Sequence, residues 1–187
     1  MPVTVKHPAF PTIDLASAEK EIVAALDSAF SEVGFCICNN ANSDPEIRED
    51  AFAASRAFHK LPETVKASYA INSAHRGYIS PKSSTSRTSS VAKVQRPNTS
   101  ESFMLMHEVL ENDPRLGKPL QGPNQWPQEV PGFQDKMTAY WQDVNCTARK
   151  LAKLCLKTLG IEIGLYEAWF RQPTEFLRLL HYWPFIK

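Results

Sequence analysis

The chain has 187 residues, of which 43% are hydrophobic and 22% are charged, and its net charge is +1. This length suits one domain or slightly more, with the composition of an ordinary globular protein. The near-neutral charge gives no indication of a nucleic-acid or acidic membrane partner, and no segment contains the roughly 20 apolar residues of a membrane span.

The first part of the chain predicts a strand, a helix, a strand and a second helix. Residues 11–15, PTIDL, have the composition of a short edge strand. Apolar residues then recur at steps of three and four until Gly34, which predicts a helix that ends at this glycine. Residues 35–38, FCIC, form an apolar run that predicts a buried strand. Proline is favoured at the first position of a helix, so residues 44–45, Asp-Pro, mark the start of the second helix.

The middle of the chain has less regular patterns. Residues 67–100 are rich in Ser, Thr and basic residues, which is typical of a loop and leaves room for one strand at 77–80. Residues 101–109 fit either a strand or a helical turn. Residues 113–131 contain five prolines and are predicted to be irregular.

The last part predicts a long helix and a final strand. Apolar residues at helical spacing extend over 131–159, which predicts a helix roughly 40 Å long. A short helix is predicted at 164–170, and a strand at 175–182. A strand needs hydrogen-bonding partners for its backbone, so we expect an exposed apolar edge at 177–186 that pairs with another chain or aggregates.

The four cysteines are Cys36, Cys38, Cys146 and Cys155. They show neither CxxC spacing nor the Cys/His clustering of a zinc site. We therefore expect free thiols in a reducing compartment. The N-terminal segment lacks the apolar run of a signal peptide, so a cytoplasmic location is expected.

Seven short motifs follow one another along the chain. They are PTIDL at 11–15, GF at 34–35, FHKLPETVK at 58–66, RGY at 76–78, ESF at 101–103, GPNQWP at 122–127 and LRLLHYWP at 177–184. In this order they resemble the N-terminal region of the isopenicillin N synthase-like Fe(II)/2-oxoglutarate-dependent oxygenases, and GPNQWP is the most specific of them. One departure is Asn-Ala at 40–41, where that family usually has His-Gly.

The resemblance implies an α+β fold. An N-terminal α/β region would be followed by a long central helix that packs on an incomplete double-stranded β-helix, or jelly roll. Residues 1–127 would form the non-haem dioxygenase N-terminal region. Residues 128–187 would supply the long helix and the first strand of a jelly-roll oxygenase core that is truncated before its metal-binding motif.

Enzymes of this family hold Fe(II) with two histidines and a carboxylate, which leaves positions open for 2-oxoglutarate and O₂. The first two ligands come as His-x-Asp. None of the five histidines in this chain has Asp or Glu two residues later. Catalytic and metal-ligating residues are therefore expected to be missing, and Fe(II) and 2-oxoglutarate are expected as cofactors of a complete family member but not of residues 1–187 alone.

The resemblance implies roles for two residues. Tyr182 matches a strand tyrosine that faces the active site in relatives and binds the co-substrate, with an ordinary core tyrosine as the alternative. Arg76 lies where some relatives bind a substrate carboxylate, with a solvated loop arginine as the alternative. His181 is expected to support the strand rather than to ligate a metal.

The loop at 82–96 is basic and contains Arg87-Thr88-Ser89. This triplet resembles the Arg-x-Ser that binds 2-oxoglutarate in the family, but it lies in the wrong half of the chain. A solvated loop is expected, and a lid over an anionic substrate is the alternative.

The function expected from the resemblance is the N-terminal part of an Fe(II)/2-oxoglutarate-dependent oxygenase. The complete enzyme would oxidise a small organic substrate by hydroxylation, desaturation or ring closure, and the 187-residue chain would be inactive. One alternative is a non-catalytic interaction module derived from the same family. A binding protein of another fold that uses the basic loop is a third hypothesis.

Overall fold

The computed structural model describes residues 10–41, 43–83 and 98–184. Within these ranges the elements are, in chain order, β1 (Thr12–Asp14), α1 (Glu19–Glu32), β2 (Ile37–Asn39), α2 (Pro45–His59), α3 (Glu63–Ser68), β3 (Gly77–Ile79), β4 (Glu101–Met106), α4 (Phe133–Thr158), α5 (Ile163–Trp169) and β5 (Phe176–His181). They form two compact units. The first comprises the described residues of Met1–Arg48 and Tyr140–Pro173, and the second those of Glu49–Ala139 and Thr174–Lys187.

The first unit packs α1 and the later part of α4 around a small parallel sheet. Strands β1 and β2 pair in register, with Thr12 opposite Ile37 and Asp14 opposite Asn39. The predicted strand at 11–15 and the predicted first helix are confirmed. Their apolar positions form the core of this unit together with one residue of α4, and its buried members are Ile13, Leu15, Ile22, Leu26, Ala29 and Leu154.

The prediction of a buried strand at 35–38 is wrong. The strand comprises Ile37–Asn39, and the side chain of Ile37 is exposed. Phe35 precedes the strand and contacts Phe10, with ring centroids 4.8 Å apart. A two-stranded sheet covers only part of its own surface, so an apolar strand residue here has core on one face at most.

The long helix is confirmed. It begins two residues after Pro131 and ends just before Gly160, whose φ of +67° suits glycine at a helix terminus. The Ile161 N–H donates to the Leu156 carbonyl at 2.9 Å and so closes the last turn. The shorter helix α5 and the final strand β5 also match the prediction to within one or two residues.

The second unit is built on the antiparallel sheet β3-β4-β5, with β4 in the centre. The structure resolves the open choice for residues 101–109 in favour of a strand. Helix α2 packs on this sheet because its buried positions Ala51, Ala54 and Phe58 lie on one helical face. Phe58 is the centre of an aromatic cluster whose other rings are Tyr69, Tyr78, Phe103 and Phe133.

Helix α3 was not predicted. It has six residues and begins directly after Pro62, which is too short for an apolar repeat to be visible in the sequence. The three-stranded sheet is part of a mixed α/β fold. The completion of this sheet into a jelly roll and the division at residues 127 and 128 stay predictions.

The four cysteines are free, as predicted. Over the described ranges, every helix is too short or too polar to cross a bilayer.

Candidate functional site: a buried charge cluster beneath the last strand

Five polar side chains meet on the core face of the β3-β4-β5 sheet, and we call them the Glu101 cluster: His59, Lys66, Tyr78, Glu101 and His181. Glu101 is only 1% exposed, and His59, Lys66 and Tyr78 are buried as well. Burying a carboxylate is costly unless it is paired and hydrogen-bonded. The arrangement of its partners therefore decides what this part of the molecule can do.

Strand pairing and the position of α3 bring these residues together from distant parts of the sequence. In the β4–β5 ladder Glu101 lies opposite His181, and in the β3–β4 ladder Tyr78 lies opposite Phe103. Side chains alternate between the faces of a strand, so Glu101 and Phe103 share the core face. Lys66 reaches the same face from α3.

The carboxylate of Glu101 accepts three hydrogen bonds. Lys66 Nζ lies 2.6 Å from Oε2, and the Tyr78 hydroxyl donates to the same oxygen. His181 Nδ1 lies 2.8 Å from Oε1. Lys66 Nζ is also 3.1 Å from Oε2 of Glu63. Both oxygens of the buried carboxylate are therefore paired, and the last strand is tied to the centre of the sheet through His181.

These bonds determine the protonation states. Burial alone would raise the pKa of Glu101, but the hydrogen bonds from Lys66, Tyr78 and His181 outweigh it, and the pKa lies below its ordinary value. Burial alone would lower the pKa of Lys66, but Glu101 and Glu63 raise it above its ordinary value. Burial, followed by the bond to Glu101, raises the pKa of Tyr78. At neutral pH the cluster therefore holds a carboxylate, an ammonium group and a neutral phenol.

His59 lies at the edge of the cluster as a neutral imidazole. Its Nδ1 is 2.8 Å from the Ser55 carbonyl oxygen, which requires a proton on Nδ1. Its Nε2 is buried and has no hydrogen-bond partner among the described residues. Burial lowers the pKa of His59, against smaller raising effects of Ser55 and Glu101, and His181 and Lys66 lower it further.

We expect acid to weaken the second unit through His59. Because the folded pKa is lowered, below about pH 6.5 the unfolded chain takes up a proton that the folded chain does not. The free energy of unfolding should then fall as the pH decreases from about 7 to about 5. Glu101, whose pKa is also lowered, adds a further loss at lower pH.

Urea denaturation at a series of pH values checks this. His59→Phe should make the decrease between pH 7 and 5 shallower, because the titrating group is gone. The control is His75→Asn at an exposed position with a positive φ that Asn tolerates, and it should leave the slope unchanged. Equal slopes for the wild type and His59→Phe would contradict the assignment.

The opposite face of β5 carries a second group of polar side chains. Arg178 lies opposite Met104, and its Nε donates to Ser102 Oγ at 3.0 Å. Tyr182 follows directly after the strand and is 66% exposed. Arg178 and Tyr182 are four residues apart, so the alternation of β5, if extended by one residue beyond His181, would place them on the same face. The cofactor-binding role of Tyr182 stays a prediction.

Arg76 is fully buried, so the alternative of a solvated loop arginine is wrong. Its guanidinium donates to the carbonyl oxygens of Ala74, Leu120 and His107 at 2.5, 2.9 and 2.9 Å. Burial lowers the pKa of Arg76. By bonding three backbone carbonyls, the Arg76 side chain stabilises the local fold. Its substrate-binding role stays a prediction.

The GPNQWP motif hydrogen-bonds to β4 and to the residue before β3. The Asn124 side chain accepts from the Met106 N–H at 2.9 Å and donates to the Met106 carbonyl at 2.7 Å, as a neighbouring strand would. Gln125 Nε2 donates to the Arg76 carbonyl at 2.7 Å and packs over Gly77, where a Cβ would collide with it. Trp126 contacts the first residue of α4, Phe133, with ring centroids 6.5 Å apart. Trp126 therefore packs against the start of the long helix.

The residues present do not fit an iron site. In the part of the chain that the structure describes, no three His, Cys, Asp or Glu side chains are grouped so that they could hold a metal ion. His181 lies beside Tyr182 and is a candidate metal ligand by its position, but its side chain pairs with Glu101 instead. Arg87 and the other basic residues at 84–97 lie outside the described residues.

Sequence reasoning missed the Glu101 cluster. One signal was available, because Glu101 precedes a mostly apolar run in ESFMLM, and a charged residue that is buried in a strand needs a partner. The partner itself, Lys66, could not be read from the sequence, since 35 positions separate the two residues.

Known proteins resemble this chain over most of its length. The family described as "non-haem dioxygenase in morphine synthesis N-terminal" matches residues 10–129. The chain is 27% identical to the 2-oxoglutarate-dependent dioxygenase eupC of Phoma sp, over 98% of this chain and 63% of that protein. It is 28% identical to azadirone synthase LFS of Melia azedarach, over 91% of this chain and 52% of that protein. The chain therefore spans about half to two thirds of the length of these relatives.

Solved structures show the same fold. A 2OG-Fe(II) oxygenase family protein from Caulobacter crescentus superimposes with a TM-score of 0.81 at 21% identity, covering 96% of this chain and 58% of that one. The full-length Neurospora crassa protein in complex with alpha-KG and thymine superimposes with a TM-score of 0.72 at 25% identity, covering 92% of this chain and 55% of that one.

Proposed function

Because the chain belongs to the family of non-haem dioxygenase N-terminal regions, we propose that its 187 residues form the N-terminal part of an Fe(II)/2-oxoglutarate-dependent oxygenase acting on a small organic molecule. The observation that carries this proposal is the family match over residues 10–129. The structural neighbour bound to alpha-KG and thymine supports it. Hydroxylation, desaturation and ring closure stay open as outcomes of the reaction.

The sheet β3-β4-β5 is, on this proposal, the beginning of a jelly-roll core. In the described part of the chain β5 pairs on one side only, with β4. Phe176, Leu180 and Trp183 are large apolar side chains that remain exposed on or directly after this strand. Further strands of a longer protein would pair with the open edge of β5 and cover these side chains.

The face of β5 that carries Arg178 would be turned toward the ligands. A guanidinium and a phenol on one exposed face suit a carboxylate, whether of 2-oxoglutarate or of an acidic substrate. Arg178 is better suited to this task than Arg76, which is fully buried and whose two terminal nitrogens donate to backbone carbonyls. Tyr182 is the residue proposed to bind the co-substrate.

The Glu101 cluster would hold this face in place. It connects His181, the residue before Tyr182, to a carboxylate that Lys66 and Tyr78 fix from two other elements. Residues 1–187 would then position 2-oxoglutarate or the substrate, but they would not bind the iron. Iron ligands would come from outside these residues, and iron with 2-oxoglutarate would supply the oxygen-activating chemistry.

Succinate release tests this proposal. Purified residues 1–187 and a longer protein containing them are incubated with Fe(II), 2-oxoglutarate and ascorbate. We expect succinate from the longer protein and none from residues 1–187, together with no saturable Fe(II) binding by the shorter chain. Iron-dependent succinate release by residues 1–187 alone would overturn the inactivity of this chain.

Tyr182→Phe in the longer protein tests whether Tyr182 binds 2-oxoglutarate, separately from whether the protein is an oxygenase. Losing a hydrogen bond to a charged ligand should raise KM for 2-oxoglutarate by about tenfold or more. Tyr69→Phe is the control, because Tyr69 donates to Glu129 instead, and KM should stay within about twofold. A longer protein that folds but releases no succinate would favour the alternative, a non-catalytic interaction module that uses the open edge of β5.

A further inference from the structure

Two cavities in the first unit share Lys153, and each is lined by three basic side chains and one carboxylate. One has a volume of about 190 Å³ and is lined by α1 and α4, with Glu19, Lys150 and Lys157 among its residues. The other has a volume of about 270 Å³ and lies against α5, with Arg149, Tyr166, Glu167 and Arg171 among its residues. We call the two together the basic cavity.

The basic cavity concentrates positive charge. Five basic side chains line it against two carboxylates, whereas the whole chain carries a net charge of only +1. A concave surface with a surplus of one sign of charge focuses the electrostatic field and raises the local concentration of small ions of the opposite sign. The charge distribution therefore favours an anionic ligand.

Three of the four lysines of α4 contact other segments of the first unit. Lys150, Lys153 and Lys157 follow one another at steps of three and four, which puts them on one helical face. Each contacts a different segment of the first unit. Lys150 Nζ donates to the Leu15 carbonyl at 2.8 Å, Lys153 Nζ lies 3.2 Å from Glu167 Oε1, and Lys157 Nζ lies 2.5 Å from Glu19 Oε1.

These contacts leave N–H donors of the three lysines available to a ligand. An ammonium group has three N–H donors, so one bond to the protein leaves two for a ligand. Glu19 and Glu167 are mostly exposed, and ion pairs at exposed positions contribute little stability. An anion with a higher charge density than a carboxylate can therefore replace either of them at its lysine.

Two further observations point the same way. The N-cap of α1 is Ala18, which makes no side-chain capping bond, and the residues on either side of it, Ser17 and Glu19, line the first cavity. Helix N-termini favour anions. Tyr166 lines the second cavity, is almost fully buried, and its hydroxyl has no hydrogen-bond partner among the described residues.

We propose that the basic cavity binds a small polyanion of the phosphate class, with adjacent anionic groups on the two sides of Lys153. A single anion would use only one of the two cavities, whereas a compact polyphosphate would contact basic residues in both. This site involves none of the residues to which the oxygenase function is assigned.

Isothermal titration of the full chain with pyrophosphate at physiological ionic strength tests the proposal. We expect saturable binding with one site per chain and a Kd below about 1 mM. Inorganic phosphate should bind at least about tenfold more weakly, because it reaches one cavity only. No saturation with pyrophosphate, or equal affinity for the two anions, would overturn the proposal.

Variants locate the site. Lys153→Met should weaken pyrophosphate binding at least tenfold, whereas Lys118→Met, which removes the same charge from an exposed position of the second unit, should leave it within about twofold. Equal weakening by both would indicate diffuse attraction and count against the proposal. Should Lys153→Met fail to fold, Glu167→Gln provides an independent arm. It releases Lys153 and should tighten binding, so unchanged or weaker binding would contradict the proposal.

Discussion

Replacing Glu101 with glutamine should lower the free energy of unfolding by about 3–5 kcal/mol, because it leaves the buried Lys66 ammonium with only the exposed Glu63 as a charged partner. The Lys66–Glu101 distance of 2.6 Å and the 1% exposure of Glu101 place this pair out of water. Urea denaturation followed by circular dichroism at pH 7 measures the change.

Glu63→Gln is the matched control. Glu63 contacts the same ammonium group at 3.1 Å, but its side chain is 59% exposed. Solvent screens this pair, so the loss should be below about 1 kcal/mol. Similar losses for Glu101→Gln and Glu63→Gln would show that burial does not distinguish the two carboxylates.

The double variant Lys66→Met with Glu101→Leu completes the test. It removes both charges together, and buried ion pairs replaced by apolar residues often lose little stability. We expect the double variant to be less destabilised than the sum of Lys66→Met and Glu101→Leu, by about 0.5–3 kcal/mol. Additive losses would mean that the two charges do not depend on each other.

Phe58→Ala should cost a similar amount for a different reason. Phe58 is 0% exposed, and its ring contacts four other aromatic rings within the second unit. Removing it leaves a cavity in the centre of the core, with an expected loss of about 3–5 kcal/mol in the free energy of unfolding.

Phe52→Ala on the same helix is the control. Phe52 is 51% exposed, so its truncation removes less buried surface than that of Phe58 and should cost less than about 1 kcal/mol. Thermal unfolding of both variants measures the difference. A loss below about 1 kcal/mol for Phe58→Ala would contradict the central position of this ring.

The surroundings of Phe58 and of Glu101 differ in how far they can be predicted from the sequence. Phe58 could be assigned to the core from the sequence, because it lies at helical spacing from Ala51 and Ala54, and a helix repeats its buried face locally. Glu101 could not be assigned a partner, because Lys66 and His181 come from elements far away in the chain. Neither the substrate-binding role implied for Arg76 nor the alternative of a solvated loop arginine anticipates its burial, which depends on the Leu120 carbonyl 44 positions later.

The sequence by itself determined the helices α1, α2 and α4 and the family, since periodicity and the order of short motifs are properties of consecutive residues. It also predicted β5 as a strand. Only the tertiary structure decided that β4 is central, that its carboxylate is paired from three sides, and that the basic side chains of α4 line a cavity. These features depend on pairing and packing between distant segments, which no local pattern encodes.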